Sequence, residues 1–147
     1  RLSKQVTCNI DFLPTLLEAS GVKSKPQQAI DGISILENFK SPGTVNNRRT
    51  LYWHYPLDKP HFLGGKSAGA LLKEGRWKLV KGYQDDAIEL YDLEADIGES
   101  KDLAATRPEV VTRLVEMAEA MRDRLGDDLT DTEGSENREP GRIPMDG

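Results

Sequence analysis

Cysteine is nearly absent. Cys8 is the single one in the chain, so neither an intrachain disulfide nor a cysteine-rich zinc site can be built from it. No apolar run approaches the ~18 residues that a membrane-crossing helix needs. Phosphate-cradling glycine loops and Ser–His–Asp arrangements are missing too. A basic stripe is also lacking. The formal charge of −5 is concentrated in residues 126–147, where Asp127, Asp128, Asp131, Glu133, Glu136, Glu139 and Asp146 outnumber Arg138 and Arg142. The chain before that tail is balanced, which argues against a nucleic-acid partner. The first residue is Arg1 rather than methionine, so the natural translation start is expected upstream, and nothing can be read about targeting.

What is present reads as α+β. At 147 residues, with 37% hydrophobic and 31% charged, the composition is that of a soluble globular chain. In N-I-D-F-L-P-T-L-L-E-A-S, Ile10, Leu13, Leu16 and Leu17 recur at helical spacing. Asp11 is expected to cap this helix, Pro14 is tolerated in its first turn, and Gly21 suits its C-terminal stop. That stripe has no obvious partner elsewhere in the sequence. Residues 22–49 break every period and read as loop, interrupted by the apolar plug D-G-I-S-I-L (Asp31–Leu36).

From Thr50 the period changes. Thr50–His54, Ser67–Lys73, Trp77–Lys81 and Ile88–Tyr91 read as short strands, with E-G-R and G-Y-Q-D-D as turns. Strands so close in sequence predict an antiparallel meander of three to four strands. Thr106-Arg107-Pro108-Glu109 matches a capping box with threonine at the N-cap. The stripe Val110, Val111, Leu114, Ala118, Met121 and Leu125 then predicts a helix lying across the sheet, stopped by Gly126. Arg113, Glu116, Glu119 and the run Arg122–Arg124 are expected on its solvent side. Beyond Gly126 the acidic, aliphatic-poor tail reads as structureless.

The candidate chemistry lies in L-Y-W-H-Y-P-L-D-K-P-H-F-L-G-G-K-S-A-G-A (Leu51–Ala70), which holds both histidines. Two prolines exclude a regular central strand throughout. His54, His61 and Lys66 among Tyr52, Trp53, Tyr55 and Phe62 suit polar contact with a hydroxylated or anionic ligand. Gly64-Gly65 allows backbone N–H groups to approach an anion. The same residues serve equally as an aromatic corner that holds the meander. A metal triad of His54, Asp58 and His61 lacks recognisable ligand spacing. Glu94, Asp96 and Glu99 lack the glycine-centred spacing of a calcium loop. Cys8 has no cationic neighbour in sequence to activate it and reads as a small buried hydrophobe.

Taken in order, I-D-F-L-P-T-L-L-E-A-S-G-V, D-G-I-S-I-L, L-Y-W-H-Y-P, S-A-G-A-L-L-K-E-G-R-W-K-L-V and I-E-L-Y-D-L-E-A-D-I-G-E-S-K-D-L-A resemble the C-terminal portion of a formylglycine-dependent sulfatase. The family is the arylsulfatase-like one of the alkaline-phosphatase superfamily. The resemblance runs from about Val6 to Leu125. It implies that residues 1–49 are the last helix and loop of a large α/β catalytic domain missing from this chain. Residues 50–125 are then the small antiparallel-sheet-plus-helix subdomain, and 126–147 the tail.

It also implies a parent hydrolase of sulfate esters that uses calcium and a formylglycine. Both would be supplied by residues outside this chain, because Cys8 is followed by N-I-D rather than x-P-S-R. The fragment alone is expected to be inactive, with no catalytic residue and no metal ligand of its own. His54, then His61 and Lys66, would contribute to the substrate rim for a sulfated small molecule or polysaccharide. A periplasmic or secreted location is expected from the resemblance. Two alternatives stand beside it, a phosphate or phosphonate monoester hydrolase of the same superfamily and a non-catalytic glycan- or anion-binding module.

Overall fold

The structure is a computed structural model and describes residues 2–22, 29–46, 48–56, 67–127 and 129–137. Two compact units divide the chain, Arg1–Arg49 and Thr50–Gly147.

In the first unit, a single 3-10 turn, Asn9–Asp11, leads into helix α1, Phe12–Ala19. Pro14 falls in the first turn, where its missing N–H would have no helical acceptor. Gly21 at φ 68° ends α1 as expected: its N–H bonds Glu18 O at 3.1 Å, and the Val22 N–H bonds Leu17 O at 3.2 Å. That pair is the Schellman closure. Asp11, however, does not cap α1. Its side chain turns back and accepts the Cys8 N–H at 2.8 Å, closing the 3-10 turn instead.

A short helix α2, Leu36–Lys40, interrupts the segment read as loop. Five residues carry too little periodicity to be seen in sequence. The expected stripe on α1 is not buried within the chain. Leu13 and Leu16 are 52% and 66% exposed, and Phe12 is 64% exposed, whereas Asp11 and Thr15 face inward.

The second unit is a meander with strand order β1-β2-β3-β4, antiparallel throughout: β1 Thr50–Tyr55, β2 Ala68–Lys73, β3 Trp77–Gly82 and β4 Ile88–Asp92. The E-G-R turn places Glu74 at φ 55° and Gly75 at φ 70°, as a primed hairpin turn requires. Register pairs Tyr52 with Leu71, Leu71 with Leu79, and Leu79 with Leu90. Those three leucines lie on one face and are fully buried.

Helix α3, Pro108–Leu125, covers that face through Leu114 and Ala118, with Val110, Val111, Val115 and Met117 packed around them. The predicted stripe drifts at its end: Leu125 is 40% exposed, and Met117 and Val115 take up the contact. The expected capping box does not form. Arg107 occupies the N-cap and Pro108 the first helical position. Thr106 instead closes a 3-10 turn, Ala104–Thr106, its hydroxyl donating to Leu103 O at 3.1 Å.

The first part of the segment read as structureless is ordered. Gly126–Asp127 (β5) pairs antiparallel with Thr132–Glu133 (β6). Gly134 packs so closely that a Cβ there would lie 2.2 Å from the Leu125 carbonyl carbon. The Glu136 N–H bonds Arg124 O at 2.8 Å, and the two side chains form a bidentate ion pair at 2.7 Å. Low hydrophobicity concealed this, because the hairpin is held by backbone and ionic contacts.

Candidate functional site

The end of β1 carries the site. Alternation along the strand sends Tyr52 and His54 to the face covered by α3, and Trp53 and Tyr55, about 45% and 44% exposed, to the other. His54 lies opposite Gly69 on β2. A Cβ on Gly69 would come within 2.4 Å of the Tyr83 hydroxyl and 3.0 Å of the Tyr52 hydroxyl. Only glycine leaves the volume in which those two hydroxyls meet.

Tyr83 follows β3 and reaches back over the sheet. Its Oη lies 2.7 Å from His54 Nδ1 and 2.9 Å from Tyr52 Oη. The Tyr52 and His54 rings stack at 6.1 Å, and the Tyr83 ring meets the imidazole edge-on at 5.4 Å. Burial first, and then the bond to Tyr52, pushes the Tyr83 phenol well above its ordinary range, so it remains a proton donor. Burial likewise raises Tyr52.

Over the outer side of Tyr83 lies the Arg122 guanidinium, 4.7 Å from the ring centroid. Arg122 pairs with buried Asp127 of the tail hairpin and lies 3.5 Å from Glu119. Glu119 in turn pairs with Lys81, and that bond holds its carboxyl below the usual range. These helix side chains were expected to be solvated. They form instead a charged roof over the tyrosine–histidine cluster, since α3 presents them at the margin of the sheet.

The other two predicted contacts, His61 and Lys66, lie outside the described residues, in the stretch that joins β1 to β2. Sequence reasoning passed over Tyr83, read as part of a polar turn. The available signal was Gly69: a glycine inside a strand marks a close approach.

Among the described residues of the first unit, Asp11 and Arg49 form a buried charge centre. Asp11, fully buried, accepts Arg49 Nη1 at 2.7 Å and Nη2 at 2.6 Å, Cys8 N–H at 2.8 Å and Ile33 N–H at 3.1 Å. Burial alone would raise this carboxyl. The Arg49 and backbone donors outweigh it and bring the pKa down to about 2. Cys8, half-buried, donates its thiol to Asn9 Oδ1 at 3.2 Å.

The calcium and formylglycine implied by the resemblance do not fit these residues. No three His, Cys, Asp or Glu converge as a metal site among the described residues, and the Asp11 oxygens are already taken by four N–H donors. Asp96 is likewise occupied, accepting the Ser100 and Lys101 N–H groups at 2.8 and 2.9 Å. No helix among the described residues is long and apolar enough to cross a membrane.

Residues 1–126 match the family model described as N-sulphoglucosamine sulphohydrolase, C-terminal. The chain belongs to this family. A curated protein named Sulfatase, from Formosa agariphila, is 32% identical over 121 residues, covering 79% of this chain and 22% of that protein. Among solved structures, BT4656 in complex with its substrate D-glucosamine-2-N,6-O-disulfate superposes with a TM-score of 0.63 at 26% identity, over 82% of this chain and 24% of the other. A phosphonate monoester hydrolase from Silicibacter pomeroyi shares the fold, at a TM-score of 0.52 and 21% identity over 80% of this chain and 25% of the other. This sulphohydrolase C-terminal chain thus spans about a quarter or less of the length of each of these relatives. The four-stranded sheet with its packed helix is the sulfatase C-terminal subdomain, and these residues are the C-terminal portion of a sulfatase.

Proposed function

We propose that this chain completes an enzyme that hydrolyses sulfate esters of a saccharide, lending its substrate rim while the nucleophile and metal come from another part of the protein. The observation that carries the reading is the likeness to a structure whose bound substrate is a disulfated glucosamine, joined to the match with a curated sulfatase. Calcium and formylglycine belong to that other part in this proposal, and its location is periplasmic or secreted.

Within the rim, His61 and Lys66 take the direct contacts with sulfate or hydroxyl, since they sit in the stretch between β1 and β2. His54 is the third member. Its Nδ1 is engaged by Tyr83, so it acts from the base of that stretch. A cationic side chain and imidazoles suit a sulfated sugar, offering charge to the sulfate and hydrogen bonds to the hydroxyls.

The test is an assay of the parent enzyme on D-glucosamine carrying N- and O-sulfate, beside a phosphonate monoester and the 147-residue chain alone. Sulfate release by the parent and none by the chain is expected. Preference for the phosphonate would move the protein to the other hydrolase reading. Turnover by the chain alone, or glycan binding without any turnover by the parent, would overturn the proposal.

A further inference from the structure

Residues 126–137 contain one aliphatic side chain, Leu129, so apolar burial cannot hold the hairpin that follows α3. Apart from Gly126 they lie beyond the family match. Two ion pairs fasten the hairpin to the last turn of α3, and the two differ in kind. Asp127, 3% exposed, pairs with Arg122, whose side chain is 19% exposed, and also accepts the Leu129 N–H at 2.8 Å. Glu136 pairs with Arg124 in the open, each side chain 51% exposed. Arg122 in turn lies over the Tyr83 ring, 4.7 Å from its centroid.

We propose that residues 126–137 are an ionic strap, anchored by Asp127 and tied down by Glu136, which holds the Tyr83 corner of the sheet shut and opens before the sheet does. Shut, it keeps the Arg122 guanidinium over Tyr83. Open, it exposes that ring and leaves Arg122 and Arg124 as two uncompensated cations at the end of α3. Every residue of the strap lies in the second unit, so it stands or falls independently of the sulfate-ester reading.

The corner depends on the strap because of where Tyr83 sits. Its N–H bonds Ser67 O at 3.0 Å, one step past the last pair of the β2–β3 ladder, Ala68 with Gly82. A bond at the end of a ladder opens readily unless its residue is held from outside. Arg122 supplies that hold by its attraction to the ring, and Asp127 keeps Arg122 in place. The buried anchor resists salt, whereas the exposed pair of Arg124 and Glu136 is screened by it.

The experiment is amide hydrogen exchange in the 147-residue chain, native and with Asp127→Asn or Gly134→Ala. The second variant leaves every charge in place. It puts a Cβ 2.2 Å from both Gly126 N and the Leu125 carbonyl carbon, which pushes the hairpin off the helix end. In both variants the N–H groups of Tyr83 and of Glu136, which bonds Arg124 O at 2.8 Å, are expected to exchange at least about tenfold faster. Leu71 and Leu79, in the two central strands, should stay within about twofold. In the native chain, raising NaCl from about 0.05 to 0.5 M should quicken Glu136 about two- to fivefold and leave Tyr83 within about twofold.

A Tyr83 amide that is unmoved in either variant would overturn the proposal. So would Leu71 and Leu79 quickening as much as Tyr83, since the sheet would then be opening together with the hairpin. Equal salt sensitivity at Tyr83 and Glu136 would remove Asp127 as the buried anchor and sink it as well.

Discussion

Replacing Asp11 by asparagine is the sharpest test of how the first unit is held together. The carboxylate is fully buried and accepts four N–H groups, two of them from Arg49, whose side chain is only 16% exposed. Arg49 Nε is itself buried without a partner among the described residues, so the guanidinium depends on Asp11 for its compensation. Asparagine keeps the shape but offers one neutral oxygen and an NH2 group to four donors. Breaking a buried pair from one side typically costs about 3–5 kcal/mol.

The assay is amide hydrogen exchange at Ile33, whose N–H bonds Asp11 directly, and at Ile35, whose N–H bonds Thr15 Oγ1 at 3.0 Å. Because each ~1.4 kcal/mol is tenfold, exchange at both should quicken by at least about a hundredfold. Asp11→Leu combined with Arg49→Met should recover part of the loss but not all. The Cys8 and Ile33 N–H groups stay unsatisfied, at about 1–3 kcal/mol each.

Acid gives an independent measure. The folded carboxyl titrates at about 2 against 3.8 ordinarily. Its contribution, about 2–3 kcal/mol, is therefore complete above roughly pH 4 and drains away as pH falls through 2. Asp11→Asn should lack this acid-sensitive component altogether. Exchange at Ile33 that quickens less than about tenfold, or an acid profile shared by variant and native protein, would refute the reasoning.

Further outcomes follow from single contacts. Gly32→Ala would place a Cβ 1.9 Å from Ile10 O and 2.5 Å from its carbon, both backbone atoms. The expected cost is at least about 1–3 kcal/mol, read as faster exchange at Ile33 and Ile35. Leu114→Ala removes a fully buried side chain between α3 and the sheet and should lower the stability of the second unit by about 2–5 kcal/mol in urea melts followed by Trp77 fluorescence. Gly69→Ala would place a Cβ 2.4 Å from the Tyr83 hydroxyl and 3.0 Å from that of Tyr52, and should lower the stability of the second unit by about 1–3 kcal/mol in the same melts.

Much of the fold was open to view in the sequence. The four strands fall within a residue or so of their expected limits, because short apolar runs were punctuated by turn residues such as Glu74-Gly75-Arg76. The Gly21 stop and the helix over the meander were equally legible, since each is a local signal. The Thr106 box failed because two motifs overlapped there. Pro108 suits the first helical position, which moved the N-cap to Arg107.

The candidate site was only half legible. His54, His61 and Lys66 drew notice through composition, but Tyr83, 29 residues after His54, did not. Nor did Arg49, 38 residues after Asp11, because an ion pair at that separation leaves no periodic trace.

By itself the sequence determined the α+β class, the order and pairing of the meander, and membership of the sulphohydrolase C-terminal family. Those follow from local periodicity and ordered motifs, which a chain carries without folding. The tertiary structure alone decided what Asp11, Tyr83, Arg122 and Asp127 touch. Hydrogen bonds and ion pairs depend on distances of a few ångströms between residues far apart in sequence. Those distances exist only once the chain has closed on itself.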